Sequence, residues 1–278
     1  MHNNSRVCVM ISLLAAFIFF LLSFNIRKVL SIVKTRQDYD LHLTIDSTSI
    51  VKGKGKYILR YPKGDKHDII SWSQYGQDHF IDKLFNATKH GFFVEIGGYD
   101  GESFSNTLFF EKIRGWEGLL IEASPFMYDI MLKKERGCYM VNACISKSLP
   151  SMTFLLAGAI TSAEETLTDR HRKRIAREKI TNRRLGHWAH TNDTVKVNCL
   201  PLLKIMRTLG RNHINYFSLD VEGAELHILN SIEWEKINID VLTIETDQHR
   251  DQILSFMKQK GYEWIQQLRG DDIFKKKY

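Results

Sequence analysis

Cysteine is scarce in this chain, with 4 among 278 residues; no pair is spaced C-x-x-C, and no two histidines are spaced H-x-x-x-H. Structural zinc sites are built on such spacings, so no structural metal is called for. Cys8 falls in an apolar run, which leaves Cys138, Cys144 and Cys199, an odd set that permits one disulfide without requiring it. The G-x-G-x-x-G fingerprint of dinucleotide folds is missing. Residues 69–278 also contain no Asp-x-Asp metal motif, which argues against glycosyl transfer. The net charge is +7, yet the basic residues are not interleaved with an aromatic platform, so nucleic acid is not an expected partner. Long hydrophobic runs are reduced to one, Val7–Phe24, with 18 uncharged residues. As a helix it would be about 27 Å long, enough for a thin bilayer, and it exceeds the roughly 7–15 residues of a signal-peptide core. We read a short tail (1–6), a single transmembrane anchor (7–24), a polar and basic stem (25–68) and one globular domain (69–278).

What is present is a set of apolar strands that end in acids. Residues 93–107 read FVEIGGYDGESFSNT, a strand carrying Glu95 that runs into a loop with Gly97, Gly98, Asp100 and Gly101. Glycines there let the backbone approach a ligand, and the amides of the following helix point at its negative group. Asp100 would repel a pyrophosphate, whereas a cationic cofactor suits it. S-adenosylmethionine carries a sulfonium and an ammonium beside its carboxylate, so the loop leans towards methyl transfer. GWEGLLIEASP (115–125) is a second strand, ending in Glu122, 21 residues beyond Gly101. An acid at about that distance grips ribose hydroxyls in βαβ nucleotide folds. A third, YFSLDVEGAELHIL (216–229), closes on Asp220 and Glu222, where open α/β sheets bind their ligands.

The predicted strands are Phe92–Ile96, Gly118–Glu122, Tyr139–Cys144, a weaker Met152–Leu156, Asn215–Asp220 and Asp240–Glu245, with helices between them and one over Gln248–Lys260. Such alternation marks a mostly parallel, doubly wound α/β sheet. Residues 158–198 interrupt it; they contain RHRKRIAREKITNRR, with eight Lys or Arg against one Glu. That segment reads as a solvated face, and it is the first candidate for a lid.

In SQYGQDHFID (73–82), FVEIGGYDG with its following SNT, GLLIEASP (118–125), NACIS (142–146) and SLDVEGAE (218–225), in that order, the chain resembles the FkbM-type methyltransferases. The resemblance covers roughly residues 70–278 and implies a Rossmann-like class I methyltransferase fold closed by a C-terminal antiparallel hairpin, with S-adenosylmethionine as cofactor. It departs from the family's usual VDIGANDG loop at Glu95 and at Gly98-Tyr99. On this basis Gly97, Gly98 and Gly101 shape the loop, while Glu95 and Asp100 hold its geometry or face the ammonium. Glu122 takes the ribose diol; Ser124, Cys144 and Ser146 lie by the adenine; Ser105 and Asn106 contact the carboxylate or cap a helix. Asp220 and Glu222 serve the acceptor, one orienting and one as base, with Glu245 a secondary candidate.

Arg6 flanks the anchor on one side and Arg27, Lys28, Lys34 and Arg36 on the other, a charge balance that alone would leave the domain cytosolic. The sequons at Asn86 and Asn192 point to the lumen. So does the resemblance, whose membrane-anchored animal members, Star-like proteins among them, are similar to type II proteins of the secretory pathway (endoplasmic reticulum, Golgi, endosome). The expected partners are the membrane and a small-molecule, glycan or lipid acceptor. The alternative is a non-catalytic, Star-like module that assists trafficking of membrane-protein cargo.

Overall fold

The computed structural model describes residues 50–60, 71–184 and 194–277. The expected anchor at 7–24 lies outside them, as do stem residues 25–49 and 61–68. Among the described residues no helix is long and apolar enough to cross a membrane.

Eight strands form the main sheet. In chain order these are β1 (Ile50–Lys52), β2 (Phe92–Ile96), β3 (Glu117–Glu122), β4 (Tyr139–Asn142), β9 (His213–Leu219), β10 (Asn238–Glu245), β11 (Tyr262–Leu268) and β12 (Asp271–Lys276), arranged β1-β4-β3-β2-β9-β10-β12-β11. The five central strands are parallel, and β1, β11 and β12 are antiparallel additions at the edges. β2 reads FFVEI and every residue is buried, as expected of a central parallel strand covered on both faces. Phe93, Leu120, Met140, Tyr216, Val241 and Ile273 present one face of this sheet to α1 (Gln77–Leu84) and α2 (Leu108–Arg114). A Cβ at Gly118 would sit 2.2 Å from the Phe93 ring, so only glycine lets that ring lie against β3. The predicted C-terminal hairpin is present as β11 and β12.

Three expectations change. Residues 50–60, expected in the stem, lie along the domain instead: β1 pairs with β4, and Gly53, Tyr57 and Ile58 donate to the carbonyls of Cys138, Glu135 and Lys134. This strap covers an edge that would otherwise expose unpaired backbone. The strand expected over Tyr139–Cys144 breaks at Ala143, after which β5 (Cys144–Ile145) enters a second sheet, in the order β5, β8 (Thr194–Leu200), β6 (Ser151–Leu155), β7 (Ser162–Ala163). Finally, the segment 158–198 is not a simple interruption. It supplies β7 (Ser162–Ala163), α4 (Asp169–Arg184) and most of β8 (Thr194–Leu200). These join β6 (Ser151–Leu155), the weaker strand of the sequence reading, in the second sheet. Cys144 and Cys199 face each other across β5 and β8 and form a disulfide, while Cys138 is free and buried.

The remaining helices are α3 (Pro125–Lys133), α5 (Leu202–Thr208), α6 (Glu225–Ser231) and α7 (Arg250–Gln259). α3 begins as its sequence dictates, with Pro125 in the first turn and Ser124 Oγ accepting from the Met127 amide.

Candidate functional site

The C-terminal ends of β2 and β9 meet side by side, and the loop after β2 is built around that meeting. Asp220 N donates to Ile96 O at 3.1 Å. At Gly97, with φ 89°, an added Cβ would lie 1.7 Å from the Asp220 carbonyl oxygen. No side chain fits there, and a ligand at this junction meets bare backbone. Gly98 and Gly101 pack on Met131, which a Cβ at either position would meet at 2.6 Å and 2.9 Å.

The loop's two acids are turned into the protein. Asp100 accepts from the amides of Glu102 (2.9 Å) and Ser103 (2.6 Å) and from Ser103 Oγ (2.8 Å), so it closes a turn. Glu95, buried, accepts from Ser105 Oγ (2.8 Å), Thr107 Oγ1 (2.5 Å) and the Asn106 amide (2.8 Å). Burial raises its pKa against the pull of Arg136 and these donors. Of the two roles expected for these acids, the geometry supports holding the loop rather than facing a ligand.

Behind them stands Arg136, fully buried, bonded to Glu111 (2.8 Å), the Gly101 carbonyl (3.0 Å), Ser105 Oγ (3.0 Å) and Thr107 Oγ1 (3.2 Å). Sequence reasoning missed it, because in KKERG an arginine reads as surface. Ser105 Oγ also accepts from the Leu108 amide at the start of α2, which supports the helix's first turn. Asn106 differs: Nδ2 donates to Ser218 Oγ at 2.9 Å, but Oδ1 is buried without a partner.

On the other side of Gly97, Glu122 closes β3. Its two oxygens accept from the amides of Tyr99 and Ser124, both at 2.8 Å. Burial, opposed by those amides, lifts its pKa to about 7. Glu122 lines a cavity with Ile96, Ala143, Cys144, Met152 and Phe154, so one wall comes from the second sheet and its disulfide. Ser124 and Ser146 stand just behind its lining residues Ala123 and His227: Ser124 caps α3, and Ser146 faces His227 Nε2 at 3.1 Å.

A second cavity of about 210 Å³ adjoins at Gly97 and Asp220 and is lined by Asn106, Ser218, Glu222 and Arg174. Here Asp220, Glu222 and Glu245 each offer a carboxylate oxygen within 4.8 Å of the others. Asp220 is open to water at the cavity floor yet enclosed by protein around it. Enclosure first, then the charge of Glu222, holds its pKa well above the carboxylate range. Glu245 is pushed up to about 12 by burial and then by the charges of Asp220, Glu222 and Glu225. Glu222 lies at about 7; burial raises it and Arg174 pulls it down.

Burial and mutual repulsion thus raise all three carboxyls, and Glu222 titrates near neutrality, the condition for a general base. The trio could also bracket a hard cation, which would replace the shared protons. Glu222 adopts a left-handed φ of 53°, fixed by Gly223 and by Glu225, which accepts from the amides of Val221 (3.0 Å) and Gly223 (3.0 Å).

Over this cavity lies α4, the helix of the basic segment. Arg174 Nη1 reaches Glu222 at 2.8 Å, His171 Nε2 is 2.9 Å from Ser162 Oγ and 3.6 Å from Glu222, and Thr168 bonds Gln248. Ile175 packs on Ala157 and Ile160, while Arg170, Arg172, Lys173 and Arg177 face solvent. α4 thus covers the cavity with its inner face, while its outer face at Arg170, Arg172, Lys173 and Arg177 is the solvated one. Arg174 and His171 were missed, since nothing in the sequence of this basic run marks them as facing inward.

Residues 95–264 match the family described as the methyltransferase FkbM domain. No curated protein matches the chain. Three solved structures give looser likenesses. The TehB-like SAM-dependent methyltransferase from Corynebacterium glutamicum is 10% identical over 74% of this chain and 89% of its own, with a TM-score of 0.39. For the precorrin-6y C5,15-methyltransferase from Geobacter metallireducens the values are 12%, 76%, 90% and 0.37. For the human methyltransferase 10 domain containing protein they are 11%, 76%, 86% and 0.39. At such scores these likenesses carry no weight beside the domain match.

Proposed function

The chain belongs to the FkbM methyltransferase-domain family, and from that premise we propose a membrane-anchored, S-adenosylmethionine-dependent O-methyltransferase acting on a hydroxyl or carboxyl of a small molecule, glycan or lipid. The observation that carries the reading is the buried, partnerless Oδ1 of Asn106 in a site that also offers Glu122 and bare Gly97 backbone. The donor set suits the cofactor: an ammonium donates only, matching an orphan acceptor, and Glu122 retains lone pairs for a ribose diol. Gly97, Asn106 and Glu122 would hold it. When bound, S-adenosylmethionine supplies a methyl on a sulfonium whose leaving group is a neutral thioether.

The chain's own part is positioning and proton removal. Glu222, titrating at about 7, takes the acceptor's proton. The upward shifts of Asp220 and Glu245 favour their neutral forms and so lessen the repulsion at Glu222. Arg174 orients Glu222 and shuts the cavity from above.

Residues 7–24 would anchor the chain with the domain in the lumen of the secretory pathway. The Cys144–Cys199 disulfide supports that orientation, since such bonds persist in oxidising compartments.

The test is calorimetric titration of the full chain in detergent with S-adenosylmethionine, using Glu122→Ala as control. Micromolar binding that the substitution abolishes is the expected result. A folded protein that binds none overturns the reading and leaves the Star-like cargo-binding alternative.

A further inference from the structure

The cavity at Glu222 continues to the surface past a lip formed by two segments, 71–76 and 103–107, joined by a parallel bridge between Ser73 and Phe104. Phe104 lines the cavity, yet it is 54% exposed and holds a left-handed φ of 61°. Tyr75, beside the lining residue Gln74, is 48% exposed. A bulky aromatic in that backbone region is a strained exception, and one standing half in water also leaves its apolar face uncovered. Gly97, Tyr99 and Glu222, which line the same cavity, also have positive φ. Strain gathered around one opening marks a place shaped for a ligand rather than for stability.

The lining says what kind of ligand. Gln74, Ser103, Asn106, Asp220, Glu222 and Glu178 make the interior polar, which does not suit an acyl chain. Arg174, the one Lys or Arg of the lining, is already paired with Glu222 and Glu178, so an anionic acceptor finds no uncommitted cation there. An amine is disfavoured as well: Arg174 already answers Glu222, and Arg269 already stands 6.0 Å from the Tyr75 ring centre on the lip. A neutral molecule with apolar faces and several hydroxyls satisfies both the exposed ring and the polar floor.

Resting on the methyltransferase reading above, we propose that the acceptor is a neutral sugar, its ring stacked on Phe104 at the lip and one hydroxyl presented to Glu222. Phe104 is then a specificity-determining residue, and the acidic floor selects hydroxyls that can donate.

The experiment is calorimetry on the full chain in detergent, first with S-adenosylhomocysteine and then, at saturation, with methyl glycosides of neutral hexoses, a methyl hexuronide, hexylamine and a long-chain alcohol. Neutral glycosides should bind in preference to the other three. Phe104→Ala should weaken them about fivefold or more, the effect of losing one stacked ring, with S-adenosylhomocysteine affinity unchanged. Phe104→Trp, which keeps an aromatic face, should retain binding and guards against misfolding of the alanine variant. Preference for the hexuronide, the amine or the alcohol overturns the proposal. So does glycoside binding indifferent to Phe104→Ala, or no glycoside binding by protein that binds S-adenosylhomocysteine. Failure to bind S-adenosylhomocysteine at all instead overturns the methyltransferase reading beneath it.

Discussion

Glu122 makes a stability prediction whose size follows from its surroundings. Its folded pKa is about 7 against an ordinary 4.5, raised chiefly by burial. A carboxyl whose folded pKa is raised favours the folded state fully below the unfolded value. That advantage is lost as pH rises through the folded value. The window is therefore pH 4.5 to about 7, and the loss is about 3 kcal/mol at 1.36 kcal/mol per pKa unit. For a domain of this size that is a fall in Tm of roughly 6–12 °C.

Glu222 titrates in the same range and direction, whereas His171 and His227, their pKa values lowered by burial, run the opposite way. The wild-type slope alone is thus a mixture, and the difference from Glu122→Gln isolates the residue. Glutamine replaces one oxygen that accepts from Tyr99 or Ser124 by an amide, which lowers stability at every pH without adding slope. Calorimetric melts from pH 5 to 8 should show the gap between wild type and variant narrowing as pH rises. Parallel curves would refute the burial argument.

Other perturbations should be as legible. Arg136→Met leaves Glu95 and Glu111 buried without their cation and should cost about 3–5 kcal/mol in urea denaturation; adding Glu111→Gln should recover part of it. Gly97→Ala should lower Tm and weaken S-adenosylmethionine binding more than about tenfold, since its Cβ would collide with the Asp220 carbonyl. Gly210→Ala, at φ 67° with open space around it, should cost only the backbone penalty of about 1 kcal/mol. Cys144→Ser should destabilise by about 2–5 kcal/mol, and reduced wild type should melt with it.

The central strands were legible as short apolar runs, most of them closing on an acid, and parallel strands covered on both faces leave that apolar mark. The glycine loop was legible for its backbone demands. Glu222 and Glu245 were expected at neighbouring strand ends by the rule that such ends converge, and their carboxylate oxygens, with that of Asp220, lie within 4.8 Å of one another. Arg136 was not legible: its burial is set by Glu111, Ser105 and Thr107, which arrive from another segment. The second sheet escaped notice because β5 and β7 have two residues each, too few for periodicity to register, and because β6 and β8 pair across the basic helix. The odd cysteine was unresolvable by counting, since only the pairing of β5 with β8 brings Cys199 rather than Cys138 to Cys144.

The strand order also sets a schedule for biosynthesis. The smaller sheet is complete once residue 200 has emerged, so its cysteines can oxidise while synthesis continues. β2 must wait for β9, which begins at His213, before its second edge is occupied. A nascent chain halted between the two would carry a finished disulfide beside an open, largely apolar strand edge, the species most prone to aggregate and most in need of a chaperone.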